Sequence, residues 1–240
     1  MAYLVYGIMK APVVNGPPLS GVAGAAVSFV SAPGLAAAVS EVSAVDSAPP
    51  VAELLVYSRV VEHLHRTQAV VPMRYGAVRE SLSAVQRLLA EGKLRYEALL
   101  TDLEGQVEMG IRVLLPAAVA PPQEEAPPVD GSHYLARRKA YYQGRDENAR
   151  QHQALLDRYN RAFSGLYAKH RTETATREGC VVLSLYYLIS RDRVDRFRET
   201  FRRLVEMAGP KTLLSGPWPP YNFVTPDPSP GVGASPEAEP

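Results

Sequence analysis

The sequence has one cysteine, no long unbroken apolar run and almost no net charge. A single cysteine, Cys180, excludes an internal disulfide framework, and no Cys/His cluster accompanies it. Beside Val181, Val182 and Leu183 it reads as a small core residue. Lys+Arg is 26 and Asp+Glu is 25, so the net charge is +1 and there is no long-range field to steer nucleic acid or an anionic membrane. Residues 11–40 carry no charge, yet Pro17-Pro18 and Pro33-Gly34 cut them into pieces too short for a spanning helix. Lys10 follows the first apolar run instead of preceding it, which is the wrong order for an export signal. The expectation is a cytoplasmic protein that meets neither membrane nor nucleic acid.

Chemical signatures are equally scarce. Gly21-Val22-Ala23-Gly24 has no Lys-Ser/Thr partner and precedes a strand, so it is not a phosphate loop. His63 and His65 lie two apart on an expected helix, face different ways, and read as solvated or capping residues. No Gly-x-Ser-x-Gly elbow occurs. Glu104 and Glu108 flank the start of an alternating strand, and Glu108 reads as a surface or salt-bridge carboxylate. The arginines at 191, 193, 196, 198, 202 and 203 alternate with Asp192, Asp195 and Glu199, as on a solvated helix face or a partner-contact face. No catalytic residue, cofactor or metal site is expected.

Proline is abundant, with 21 residues, and it divides the chain. Five prolines between 116 and 128 mark a stiff linker, whereas 129–209 contain none. The expected organisation is an N-terminal α+β domain over 1–115, a Pro-rich linker over 116–128, a C-terminal α+β domain with a docked extended segment over 129–224, and a disordered tail over 225–240. In the first unit, Tyr3 to Met9 reads as a buried strand, and Val22–Val30 and Leu35–Val42 as a hairpin. Helices follow after Pro49-Pro50, from Val78 to Leu89, and from Tyr96 to Leu103. Val107, Met109, Ile111, Val113 and Leu115 then alternate as a strand. The second unit opens with a long helix from Tyr134 to about Leu166 and continues strand, strand, helix, strand. A sheet with helices on one face, a ferredoxin-like α/β sandwich, packs that order most economically.

Two segments stand apart. Val71-Pro72-Met73-Arg74-Tyr75-Gly76 suggests a fixed turn with a buried or half-buried guanidinium. The closing run Gly216-Pro217-Trp218-Pro219-Pro220-Tyr221-Asn222-Phe223 cannot be helical and is too apolar for a free linker. It should lie extended on a surface, with Trp218, Tyr221 and Phe223 as anchors, either within the chain, Trp218 against the body, or on a partner. Pro72, Arg74, Tyr75, Gly76, Trp218, Tyr221 and Phe223 are therefore the structural or partner-contact candidates.

These motifs, taken in order, resemble the gas vesicle F/L family. The likeness rests on Tyr3-Leu4-Val5-Tyr6-Gly7-Ile8, Pro72-Met73-Arg74-Tyr75-Gly76, Gly105 to Ile111, Gly131-Ser132-His133-Tyr134-Leu135 and Gly216 to Phe223. The sequence departs from that pattern at Tyr57, Ala77 and Met109. The resemblance implies a minor component or assembly factor of gas vesicles that binds the hydrophobic shell subunit and other accessory proteins, and it implies no enzymatic activity. The rival expectation is a ligand-binding or enzymatic α+β protein, because ferredoxin-like folds host many chemistries.

Overall fold

The computed structural model describes residues 2–13, 17–43, 48–116, 149–177, 180–206 and 210–224. The expected linker beyond Pro116, the first part of the long helix, the helix stop at Gly209 and the tail from 225 lie outside the described residues. Among the described residues two antiparallel sheets and five helices make an α+β fold. Among the described residues no helix is long and apolar enough to cross a membrane.

The first sheet has the order β2-β3-β1-β4, with β5 also on β1. Its strands are β1 (Ala2–Lys10), β2 (Val27–Ala32), β3 (Leu35–Val42), β4 (Val71–Pro72) and β5 (Val78–Arg79). The hairpin starts later than the sequence suggests, because Val22–Gly24 form a 3-10 turn. β1 and β3 are buried on both faces, which explains apolar runs without polar alternation. On one face Leu35, Ala37 and Val39 meet α2 (Leu82–Glu91) and α3 (Lys93–Asp102) through Leu89, Tyr96 and Leu100. On the other, Ala36, Ala38 and Val42 meet α1 (Val51–Thr67) through Tyr57, Val61 and Leu64. Alanine is a weak strand former, but its small side chain suits a layer pressed from both sides. A bulge between Val5 and Gly7 shifts the β1 register. The Val78–Leu89 stretch is not one helix. Val78 and Arg79 pair with Leu4 and Tyr3, and the helix begins only after Ser81, whose hydroxyl accepts the Ala84 N–H at 3.1 Å.

The second sheet has the order β7-β8-β6-β9, made of β6 (Gln106–Pro116), β7 (Tyr167–Arg177), β8 (Cys180–Ser190) and β9 (Lys211–Trp218). β6 was expected at the end of the first unit. It instead pairs along its length with β8 and on its other side with β9. With α4, described over 149–162, and α5 (Val194–Glu206), the chain order is β6-α4-β7-β8-α5-β9, which is the ferredoxin-like arrangement. The helices cover one face. Val107, Met109, Ile111 and Val113 point into that core beside Leu183, Leu185, Phe163 and Phe197. The Phe163 and Phe197 rings stack at 4.1 Å.

The two sheets share contacts. Leu188 of β8, on the helix-free face, belongs to the apolar core of the first sheet, together with Phe223. Lys169 bridges Asp102 at 2.7 Å, and Arg191 donates to the His65 carbonyl at 2.9 Å.

Candidate functional site

The segment 71–79 crosses β1 as two short pairings with a turn between them. Pro72 pairs with Gly7, and Val78 with Leu4. The Ala77 N–H donates to the Arg74 carbonyl at 3.2 Å, and Gly76 takes φ +89°, which glycine alone adopts without strain. Arg74 is exposed at the tip, so the expected buried or half-buried guanidinium is corrected: the turn turns its cation outward and its ring inward. Tyr75 donates to Glu53 of α1, and its ring meets Tyr57 edge-on at 5.4 Å.

Tyr57 is the point where the pieces join. Its ring stacks on Tyr6 at 5.0 Å, and its hydroxyl lies within hydrogen-bond distance of two carbonyls, Val5 at 3.0 Å and Met73 at 2.8 Å. Burial pushes its phenol well above the ordinary tyrosine range. The hydroxyl therefore stays a donor and ties α1 to β1 and to the turn that follows β4. Tyr221 packs on the same cluster as Tyr57 and Tyr75, and burial raises its phenol as well.

The closing run crosses from one sheet to the other. It leaves the second sheet at Trp218, which pairs with Glu108, and its tip enters the first core with Phe223. Pro219 and Pro220 are buried. Trp218 is 44% exposed, so the expectation of Trp218 against the body is corrected. Trp218 pairs with β6 through its backbone while nearly half of the residue stays exposed. The docking is done by Pro219, Pro220, Tyr221 and Phe223. Gly216 has φ +105°, and a Cβ there would lie 2.6 Å from the Glu108 carbonyl oxygen.

Glu108 was expected on a solvated face and is 5% exposed. It does lie opposite Val107 and Met109, but the first unit and the closing run cover that end of the face. Burial raises its carboxyl above the usual range, and two hydrogen bonds from Asn222 work against that rise. Asn222 and Glu108 were both missed as a pair. The only trace in the sequence is a carboxylate in an otherwise uncharged run from Gly105 to Ile111. His65, expected as solvated or capping, is also buried, and its Nε2 lies 3.0 Å from the Gln106 carbonyl oxygen. Burial, with the nearby Arg191 cation, lowers it to about 4. Among the described residues no group of three or more His, Cys, Asp or Glu could hold a metal.

A groove of about 440 Å³ runs between α1 and the helix-free face of the second sheet. α1 supplies Leu55, Ser58 and Glu62; the sheet supplies Gly110, Arg112 and Tyr186; Trp218 and Tyr221 close it. Beyond it the face is open: Leu114 is 42% exposed, Leu213 61%, and Leu55 on the opposing wall 51%. Arg112 is exposed among these side chains. This arrangement can hold an apolar segment. It converges no set of nucleophile, base and electrophile.

Comparison with known proteins places these features in a family. A family profile described as gas vesicle synthesis protein GvpL/GvpF matches residues 2–225. Gas vesicle protein L of a Streptomyces species is 32% identical over 178 residues, covering 70% of this chain and 66% of that protein, just under two thirds of its length. Gas vesicle protein F2 of Halobacterium salinarum is 28% identical over 212 residues, covering 86% of this chain and 84% of the relative. The crystal structure of GvpF from Microcystis aeruginosa has a TM-score of 0.75 at 16% identity, over 93% of this chain and 99% of that one. That of GvpF from Anabaena has a TM-score of 0.76 at 16% identity, over 93% and 96%. At that identity these structures share the fold.

Proposed function

The chain belongs to the gas vesicle synthesis protein GvpL/GvpF family, and from that premise we propose that it is a non-catalytic assembly factor that binds the hydrophobic shell subunit while gas vesicles form. It acts in the cytoplasm and at the gas vesicle, together with other gas vesicle accessory proteins. A shell subunit with a gas-facing apolar surface would aggregate before assembly, and a partner that covers this surface limits the loss.

What supports the reading is the groove beside α1 and the open apolar row that continues it. Leu55, Trp218, Leu114 and Leu213 are each more than a third exposed. Apolar side chains gathered on one uncovered sheet face mark an interaction surface more often than a passive one. A strand or helix of the subunit lying there would bury them.

The test is capture of co-expressed shell subunit by the tagged full chain, compared with a Leu114→Glu/Leu213→Glu variant. Both leucines lie on the surface, so the melting temperature should hold. The expected result is capture by the native chain and its loss in the variant. No capture by the native chain, under conditions where other accessory proteins bind one another, sinks the reading. Equal capture by both chains moves the contact elsewhere.

A further inference from the structure

Among the described residues β7 is the outer strand of the second sheet and pairs with β8 alone. It is 11 residues long, and residues 172–176 are all exposed. Such a strand offers a row of backbone N–H and C=O groups to a further strand. The opposite edge is blunted: β9 contains Pro217 and pairs across a register shift between Glu108 and Gly110. β7 has no proline, and its single register shift, between Tyr167 and Lys169, sits at its start. From Lys169 onward the register is continuous.

The two faces of this strand differ. Lys169, Arg171, Glu173 and Ala175 pair with Leu188, Tyr186, Ser184 and Val182, on the helix-free face. His170, Thr172, Thr174 and Thr176 lie on the other. Threonine is a strong strand former, and paired threonines suit a ladder with solvent on both sides.

We propose that β7 pairs antiparallel with β7 of a second copy, about a two-fold axis through Thr172, joining two four-stranded sheets into one. An antiparallel edge contact between identical strands must be isologous, so the axis passes through a residue set against itself. Charge selects which one. Centring on Arg171 sets two Lys169–Glu173 pairs around a like-charged Arg171–Arg171 contact, and centring on Glu173 sets Glu173 against Glu173 and Lys169 against Arg177. Centring on Thr174 sets Arg171 against Arg177. Centring on Thr172 sets Arg171 against Glu173 twice, once on each side of the axis, with Thr172 against Thr172 between them and His170 against Thr174 outside them. Every pair then keeps its two members on the same face. The contact is independent of the groove, which lies across the sheet beside β6 and β9.

Sedimentation of the full chain over a concentration series tests the pairing. The native chain should form a reversible dimer. Arg171→Glu turns two attractive pairs into two repulsive ones and should weaken it by roughly tenfold or more. Adding Glu173→Arg to that variant exchanges the charges and should restore it. Crosslinking tests the register. On a Cys180→Ala background, Thr172→Cys places two cysteines with Cα atoms about 4.5–5.5 Å apart, within disulfide reach. Thr176→Cys places them more than about 20 Å apart. Oxidation should couple the first and not the second. A chain that stays monomeric at all concentrations, a charge reversal that the exchange does not repair, or equal coupling at both positions overturns the proposal.

Discussion

Asn222 holds both oxygens of the Glu108 carboxylate: its backbone N–H donates to Oε2 at 2.9 Å and its side-chain Nδ2 to Oε1 at 2.6 Å. The two residues are 114 positions apart, so this contact fastens the closing run to the first strand of the second sheet. Asn222→Ala removes the side-chain donor and leaves a buried charge half satisfied. The expected loss is about 1–3 kcal/mol. The pH dependence gives a sharper reading. Burial raises the Glu108 carboxyl, so its favourable contribution is full below the ordinary carboxylate pKa and declines as pH rises through the raised value. Asn222 opposes that decline by stabilising the charged form. The melting difference between native and variant chains should therefore be larger at neutral pH than near pH 4. A difference that does not change with pH would mean that Asn222 acts by packing alone.

Two of the three aromatic side chains of the closing run are in opposite situations. Phe223 is 8% exposed in the first core, and Trp218 is 44% exposed at the groove. Phe223→Ala should cost about 3–5 kcal/mol, as large-to-small core changes do. Trp218→Ala should change stability by less than about 1 kcal/mol and instead weaken capture of the shell subunit. Ending the chain after Ser215 should lower the melting temperature more than either substitution, because it removes Phe223 and the Asn222 contact together. Thermal denaturation of the three variants decides this. A Trp218→Ala loss as large as that of Phe223→Ala would mean that the indole is part of the core.

Much of this architecture was legible because it obeys local rules. The strict alternation from Val107 to Leu115, the apolar run from Cys180 to Ile189 and the 3.6-residue period of α5 each match an observed element. What escaped was set by contacts far apart in sequence. β6 reads as a strand from its own residues, but nothing local says that its partners begin at Lys211 and Cys180. Glu108 looks solvated until the first unit and the closing run cover it. Arg74 and Tyr75 are adjacent, and the turn geometry decides which one faces inward. Val78 matched a helical period by coincidence, since its neighbour in space is Leu4.

Gly216 opens the closing run and can be tested directly. Its φ of +105° is unfavourable for any residue with a Cβ, and a Cβ would meet the Glu108 carbonyl oxygen at 2.6 Å. Both problems act at once, and the second involves backbone that cannot rotate away. Gly216→Ala should destabilise the chain by more than about 1 kcal/mol and shift β9 relative to β6. Hydrogen exchange at the β6 and β9 amides would show that shift. Protection equal to the native chain would contradict the close approach.

His65 gives the acid limb of stability. Its ring is buried between α1 and the start of β6, and burial together with Arg191 lowers it to about 4 from an ordinary 6.5. A depressed histidine binds its proton less readily when folded than when unfolded. Its contribution is therefore present in full above pH 6.5 and is lost as pH falls toward about 4. A shift of that size corresponds to about 3 kcal/mol. His65→Gln keeps a donor for the Gln106 carbonyl but cannot titrate. The native chain should lose stability between pH 6.5 and 4 more steeply than the variant, with the two curves converging as the pH falls. Chemical denaturation at closely spaced pH values measures this, and parallel curves would show that His65 titrates alike in the folded and unfolded chain.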